Sequence, residues 1–591
     1  MSNSMLGVYA PSGRLENLSI TRPGANCIRE LADLWVSVDS CCRYSQQEIT
    51  GPQSRHYLLM LRRDHGFDGT EALLQVCTTL KNSPSLAFPA LQGSPLLASL
   101  SKCHWRGLIV LCELSNHEGG RSRLALISDR LASCRLYYSD TPRAFLFATD
   151  PAESFKLIRQ LIGPLTLGPA NIGDYLRFLH QPSPRTLLRG VSILPPASCL
   201  TVSQDGLEIF HYWSPRFTPA VVSTREAVET TRSSLLRSIE HHLGTPEDKC
   251  GLLLSGGVDS SMIAAVAKGQ GHQLTTYTVG FDGIEDERDK ARAVASHFGT
   301  RHREIIIKPE DVENLTWETT RALGFPTGNP SSVATYLVTR RAAEDVDRIL
   351  SGLGSDELLG GHRKHILARY WPIAHLVLNL VKKLVVEALG TRSSGPQKIS
   401  TYGDLYTHLD NRQLEALLLS PWRDDSGSCY GDLQTGTFSE EQFLFDLYCW
   451  LSDGILPLAA TLSSQAGLPL ALPFCGDEVL ELGARLPLTC KVRGFDPKWL
   501  LKESASEFVP TWILKGKRRG FTVPVGTWFR GPLRHLLDTY LDTKVIELRG
   551  VFRPEGVRDL VRAHLEGPAD FSLPIWALLT LEIWQRIFLD H

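Results

Sequence analysis

The chain has 591 residues, too many for one hydrophobic core, so two or more domains are the default. Hydrophobic residues make up 43% and charged residues 21%, and 62 basic against 64 acidic side chains leave a formal net charge of -2. That balance excludes the basic field that a nucleic-acid groove or an anionic membrane surface requires. The 13 cysteines are scattered, Cys41 and Cys42 are adjacent, and no CxxC spacing occurs. No secretory segment follows Met1, so reduced thiols in a cytoplasmic enzyme are expected. The longest apolar stretch, "WPIAHLVLNLVKKLVVEAL" from Trp371, is broken by His375, Asn379, Lys382 and Lys383. A membrane span wants roughly 20 nearly uninterrupted apolar residues. The stretch is therefore read as an amphipathic helix of a soluble protein with no membrane span.

Up to about residue 215, short apolar or alternating runs are separated by turn signals: "GLIVLCEL", "RLALISDR", "CRLYYSD", "AFLFATD" and "SCLTVSQDGLEIFHYW". These read as strands of an antiparallel, hairpin-rich domain. "SPRFTPAVV" marks a linker, after which Ser223 and Glu226 can form a capping box for "REAVETTRSSLLRSIEHHL". Strand 250–254, helix 260–268, strand 274–279, helix 289–298 and strand 304–307 follow in alternation. That alternation predicts a parallel sheet covered by helices. Beyond Leu323 the pattern is mostly helical, interrupted by an exposed loop, "GTRSSGPQKIS", at 390–400.

The informative turn is "CGLLLSGGVDSSMIAAVAKG", where an apolar strand meets a helix through consecutive glycines. Ligands bind at the carboxyl ends of the strands in an open parallel sheet. Glycines admit an anion to the backbone, and the helix N-terminus favours negative charge. Ser255 and Ser260 add hydroxyl donors, and Asp259 suggests magnesium between carboxylate and phosphate. A plain Ser-Gly-Gly turn capped by Asp is the alternative. The loop is not a Walker A, since it lacks GxxxxGK[ST].

The S-G-G-x-D-S pattern resembles the pyrophosphate loop of the PP-loop ATP pyrophosphatases. Four later segments narrow the resemblance to the asparagine-synthetase family: "TYTVGFDG" followed by "DERDKARAVASHFGTRHRE", "PSSVATYLVTRRA", "LSGLGSDELLGGHRKH" and "VPTWILKGKRRGFTVPVGTWFRGPLRHLL". All occur in family order between about residues 225 and 590. Upstream, "LALISDRLASCRLYYSDTPRAFLFATD" and "VSILPPASCLTVSQDGLEIFHYW" resemble the end of that family's N-terminal glutaminase domain. The resemblance implies an α+β, N-terminal-nucleophile-like sandwich over 1–215. It is followed by an α/β, Rossmann-like ATP-pyrophosphatase domain with a helical C-terminal part over 223–591.

It also implies roles by position. Leu253, Leu254 and Val279 match the backbone positions that hold adenine. Ser255, Gly256, Gly257, Asp259 and Ser260 match the pyrophosphate loop, and Ser351 and Gly352 a second nucleotide contact. Asp259 and Asp356 match the magnesium pair, and Lys517 the catalytic lysine that stabilises charge on the phosphates. Asp356 as a helix N-cap, and Lys517 as part of a solvated basic run with Lys515, Arg518 and Arg519, are the alternatives. ATP and Mg2+ are the implied cofactors, because adenylating a carboxylate develops negative charge that such groups offset.

The departures from the family bear on the substrate. The chain starts "MSNSMLGVYAPSGR", without the cysteine that glutamine hydrolysis needs after the initiator, and Ser2 is a weak substitute. The H-R-G-P-D and N-G-E-I-Y-N stretches are not found, so the N-terminal domain is read as a degenerate, structural partner. Leu353 stands where asparagine synthetases usually carry glutamate and β-lactam synthetases tyrosine. In "GLPLALPFCGDEVLE", Pro469, Ala471 and Gly476 replace a glutamate, an arginine and an aspartate. His362 and His365 lack metal-site partners and read as polar residues lining the cleft or solvent.

Three functions are therefore expected to compete. The first is an amide ligase acting on a peptide or small-molecule carboxylate, as in the lasso-peptide macrolactam cyclases, with a precursor-peptide protease or leader-binding protein as partner. The second is an asparagine synthetase using free or separately supplied ammonia. The third is a non-catalytic nucleotide-binding relative.

Overall fold

The computed structural model describes residues 5–9, 27–30, 34–38, 44–50, 56–63, 76, 91–114, 123–217, 223–371, 403–420, 430–433 and 437–590. It is interrupted at 283–285, at 517–522 and at scattered single positions and pairs. The expected helix at 372–389, the loop at 390–400 and Ser2 lie outside the described residues.

Alternation with a period of two builds the N-terminal part. One six-stranded antiparallel sheet holds strands Met5–Tyr9, Cys27–Glu30, Leu34–Val38, Tyr137–Asp140, Phe145–Ala148 and Ser192–Ile193. A second holds Tyr44–Thr50, His56–Arg63, Gly107–Leu114, Arg123–Ser128, Ser198–Ser203 and Gly206–His211. Leu108, Val110, Leu124 and Leu126 meet Tyr138, Phe145 and Phe147 between the sheets. The alternate residues Ile109, Leu111, Ala125 and Ile127 pack outward against Trp105 and the helix Pro95–Leu100. Both faces of these strands are apolar because both are covered. On the far side of the first sheet, Tyr137, Leu146 and Ala148 meet Phe155 and Ile158 of the helix Pro151–Leu161. The result is the expected sandwich, layered helix, sheet, sheet, helix.

In the C-terminal part, helix α1 (Thr224–Leu243) starts at Ser223, whose Oγ accepts the Glu226 N–H at 3.2 Å. The parallel sheet consists of β1 (Cys250–Leu253), β2 (Thr275–Phe281), β3 (Arg301–Ile307), β4 (Arg348–Leu350) and β5 (Leu470–Ala471). Its spatial order is β3-β2-β1-β4-β5, so the direction of strand addition reverses between β1 and β4. In doubly wound sheets that reversal opens a crevice at the carboxyl edge. The sequence pattern misses β4 and β5, because runs of three and two residues carry no readable period. Helices α2 (Val258–Gly269) and α3 (Arg288–Phe298) follow β1 and β2.

Residues Phe438–Gln465 form a helical run whose most apolar 18-residue window has a mean hydropathy of 1.3, and 78% of that window is buried within the fold. It is a core helix by packing. Its middle, Phe445–Ile455, is a π-helix, a geometry frequent at functional sites.

The two parts share one apolar core, in which Tyr137 and Ile158 belong to the same cluster as Leu252, Trp576 and Trp584. Buried polar contacts cross the same boundary. Arg135 meets Asp453 at 3.1 Å, and Asp453 also accepts from Tyr430 OH (2.8 Å) and from the Ser183 N–H (3.0 Å). Arg135 and Asp453 are 7% and 4% exposed, so neither charge has a solvent alternative. Asp453→Ala is therefore expected to cost about 3–5 kcal/mol, the usual penalty for stranding a buried charge. Urea unfolding followed by circular dichroism and by tryptophan emission checks this. Both probes should move together, because the core is continuous.

Candidate active site

The two loops that leave β1 and β4 approach each other at the reversal point, and glycine makes the approach possible. Gly256 has φ +74°, and a Cβ there would stand 2.9 Å from the backbone carbon of Lys290 on α3. A Cβ at Gly352 would stand 2.9 Å from the Cβ of Asp259, so these loops touch backbone to side chain. Gly257 donates its N–H to Ser255 Oγ at 3.3 Å, which holds the turn into α2.

Leu253, Leu254, Ser255, Gly256, Gly257, Asp259, Ser260, Val279, Ser351, Gly352 and Asp356 all line one cavity of about 690 Å3. These are all the residues given a nucleotide, metal or catalytic role from the resemblance except Lys517, which lies outside the described residues, although Gly516 and Val523 on either side line the cavity. Leu254 is already engaged by the sheet: its N–H donates to the Tyr277 carbonyl at 2.8 Å, and its carbonyl accepts from Thr278 Oγ1. It therefore offers a planar ligand an apolar side chain and one remaining carbonyl lone pair.

The centre of the site is a lysine that the sequence reading does not find. Lys498 Nζ lies 2.6 and 2.5 Å from the two oxygens of Asp259 and 3.0 Å from Asp356 Oδ1. The lysine is 1% exposed whereas Asp259 and Asp356 are 19% and 27% exposed, so the ammonium sits behind carboxylates that open on the cavity. Lys498 has φ +60°, an uncommon backbone state for a non-glycine residue, and its N–H donates to the Gly360 carbonyl at 3.0 Å. Ser355 Oγ also donates to Asp259. A Cβ at Gly361 would overlap the Asp356 carboxylate and the Lys498 Cε, so only glycine fits there. No spacing in the sequence ties Lys498 to an aspartate 239 positions earlier.

These carboxylates fit a magnesium site. Mg2+ is usually held by one or two carboxylates with substrate phosphates completing its shell. Asp259 and Asp356 converge on one cation, the Lys498 ammonium, and line the same cavity as the glycine loop at the N-terminus of α2.

Part of the wall is apolar, with Trp450 and Ile455 from the π-helix, Leu458 and Ala459 just after it, Leu470 and Leu573, while Glu287, Lys290, Asn329, Glu357 and Lys502 also line the cavity. The segment 469–476 contributes Leu470 to this wall, while its remainder turns away. Arg106 of the N-terminal sandwich donates to the Cys475 carbonyl and pairs with Asp477 at 2.8 Å, all buried. The segment expected to bind substrate therefore serves mainly to join the two parts. His362 also lines the cavity, as one of the two readings of that residue allowed.

The asparagine synthase family model matches residues 230–586. The chain belongs to the asparagine synthase family. It is 24% identical over 474 residues to asparagine synthetase [glutamine-hydrolyzing] 1 of Bacillus subtilis (strain 168), covering 77% of this chain and 74% of that protein. It is 26% identical over 452 residues to a putative asparagine synthetase [glutamine-hydrolyzing] of Mycobacterium tuberculosis (strain ATCC 25618 / H37Rv), covering 71% and 67%. A shorter match, 32% identical over 185 residues, covers 30% of the chain and 35% of the carboxyethyl-arginine beta-lactam-synthase of Streptomyces clavuligerus. Family membership implies an ATP-dependent amide-bond ligase that forms AMP and pyrophosphate.

Asp259→Ala or Asp356→Ala is expected to lower ATP-to-AMP turnover by about 10²- to 10³-fold with the fold retained, the usual loss for one preorganised charge contact. Pyrophosphate release and circular dichroism check this. Lys498→Met should slow turnover and also tighten binding of Mg2+ alone, because the ammonium no longer competes for both carboxylates. Calorimetric titration with MgCl2 reads that second effect, and unchanged affinity would contradict it.

Proposed function

We propose that this protein adenylates a carboxylate of a peptide and closes it onto an amine of the same molecule, as in lasso-peptide macrolactam formation. The observation that carries this reading is the apolar wall of Trp450, Ile455, Leu458, Ala459 and Leu470. No arginine stands among the described residues of the cavity. Free aspartate brings three charges that need partners; Lys290, Lys502, Glu287 and Glu357 line other parts of the cavity, but the apolar wall supplies none, and a charge left unpaired against it costs several kcal/mol. A peptide segment carries fewer charges and more apolar surface.

In this reading Leu253, Leu254 and Val279 seat adenine, and the loop from Ser255 to Ser260 cradles the phosphates with Ser351 and Gly352 opposite. Asp259 and Asp356 would hold Mg2+, which supplies positive charge against the developing pyrophosphate. Lys498 keeps these two carboxylates together, and Lys517 takes the role of charge-stabilising lysine near the phosphates. The substrate carboxylate attacks the α-phosphorus and pyrophosphate leaves; the amine then attacks the acyl carbon and AMP leaves. A protease that trims the precursor, or a protein that binds its leader, is the partner this reaction calls for.

The N-terminal sandwich acts here as a packing partner without glutaminase activity. Among the described side chains of that part, Cys112, Cys134 and Cys199 are buried, and burial pushes the Cys199 thiol well above its ordinary range. A buried neutral thiol is a poor nucleophile. Purified protein is expected to leave glutamine unhydrolysed with or without ATP, measured as glutamate formed.

A second reading, asparagine formation from aspartate and ammonia, is favoured by the name and the 74% coverage of the Bacillus subtilis relative. Pyrophosphate release separates the two. Aspartate with ammonia is expected to give none above background. A linear peptide with a free N-terminal amine and an internal Asp or Glu is expected to give release together with a product lighter by one water. Asparagine as product would overturn the cyclase reading.

A further inference from the structure

The loop after β4 brings Ser351, Gly352 and Asp356 to the cavity, yet two of its residues are glycines, and Gly354 has φ +89°. Glycine backbone has many states open to it, so such a loop takes its place from what packs on it. The segment 469–476 holds it at two points. The Ser351 N–H donates to the Ala471 carbonyl at 3.0 Å, and Cys475 Sγ donates to the Leu353 carbonyl at 3.5 Å. Burial pushes the Cys475 thiol pKa up to about 12, so the thiol keeps the proton it donates. A Cβ at Gly354 would overlap that sulfur, so loop and segment are in close contact.

Cys475 is itself held from the other part of the molecule. The segment, "PLALPFCG", contains no cation of its own. Arg106, 369 positions away, donates through Nη2 to the Cys475 carbonyl. Its Nη1 pairs with Asp477 at 2.8 Å and donates to the Trp105 carbonyl at 3.3 Å. The two charged side chains are 4% and 1% exposed. On the sandwich side the mount is built around Asp129, 3.9 Å from Arg106. Asp129 accepts the N–H groups of Gly107 and Leu131 at 2.8 Å and of Ser133 at 3.1 Å. A planar guanidinium fork fixes two acceptors in one orientation, which an ammonium does not. On the site side the contacts continue, since Ser355 Oγ donates to Asp259 and Asp356 reaches Lys498 at 3.0 Å.

We propose that Arg106 is a positioning residue of the ligase site, acting through Cys475 to set the loop after β4 for Mg2+ and nucleotide. The N-terminal sandwich thus supports the nucleotide half of the site, a role that needs no chemistry of its own. The assignment rests on reading the cavity as the site of ATP and Mg2+, and is indifferent to the carboxylate and amine used.

Calorimetric titration of the full chain with Mg2+ and α,β-methylene ATP, which cannot be cleaved between its α and β phosphates, reads the loop without any acceptor substrate. Arg106→Lys keeps the buried positive charge and loses the fork, and Cys475→Ala loses the thiol. Each should weaken binding by about three- to tenfold, the range of one hydrogen bond. Both act along one line of contacts, so the double variant should bind little worse than the weaker of the two single variants. Arg130→Met is the control. Arg130 is buried at the same boundary, 3.6 Å from Asp477, but its hydrogen bonds go to Glu481 and the Ser101 carbonyl. This control should bind the analogue as the wild type does. Losses that add in the double variant, or an equal loss in Arg130→Met, would overturn the proposal.

A second measurement needs no ligand. Amide hydrogen exchange read by mass spectrometry should quicken by about tenfold over 351–361 in Arg106→Lys and in Cys475→Ala. The helix Ser572–Phe588 should exchange as in the wild type, which separates a loosened loop from a loosened fold. Unchanged exchange over 351–361 would also overturn the proposal. If the wild type binds no analogue, the nucleotide reading fails, and the exchange measurement alone decides the positioning role.

Discussion

Two carboxylates and one ammonium organise this molecule. Asp259 arrives on the helix after β1 and Asp356 on the short helix Ser355–Leu358 after β4, and both lie within 3.0 Å of Lys498 Nζ. Like charges that close repel, by about 4 kcal/mol at 4 Å with the effective dielectric of a protein surface. A cation between them removes that cost before any ligand arrives. The geometry this demands explains much around it: the bare backbones of Gly352 and Gly361, the left-handed turn at Lys498 and the reversal of strand order between β1 and β4. A site prearranged for cationic charge suits a reaction whose transition state places negative charge on phosphate oxygens.

The N-terminal sandwich is bound into this arrangement. Through Arg106 it holds the Cys475 carbonyl and Asp477, and Cys475 packs against Gly354 of the second loop, where no Cβ fits. Arg135 reaches Asp453 on the π-helix whose Trp450 and Ile455 face the cavity. Two buried arginines of one part thus hold two walls of the other. Such contacts tie the sandwich to the site, because buried charges without partners are destabilising.

The apolar wall and the polar edge of the cavity lie on neighbouring elements. The π-helix supplies Trp450 to the wall and Asp446 to the pair with His365, which in turn accepts the His362 N–H. One irregular helical segment therefore shapes the apolar wall and, through His365, holds the backbone of His362. An α-helical turn there would rotate these side chains relative to one another, since each turn would hold 3.6 residues rather than more.

Amino-acid order alone determined what depends on local period and local backbone freedom. The strand-turn-helix at Cys250–Gly269 was legible because apolar runs, consecutive glycines and a helical pattern adjoin within one short stretch. Ser223 was legible as a cap for the same reason, and the pyrophosphate-loop residues all line the cavity as their positions implied. Strands β4 and β5, of three and two residues, had no period to read and exist because β1 is there to pair with β4. The fate of 469–476 was likewise decided by Arg106, more than three hundred positions away in the chain. Lys498 and the Glu357–His362 pair make the same distinction within the site. A lysine among many lysines and a histidine in "GGHRKH" acquire chemical meaning only from what tertiary packing sets beside them: two partly buried aspartates in one case, a buried carboxylate in the other. Burial and distance create those electrostatics, and neither is a property of sequence order.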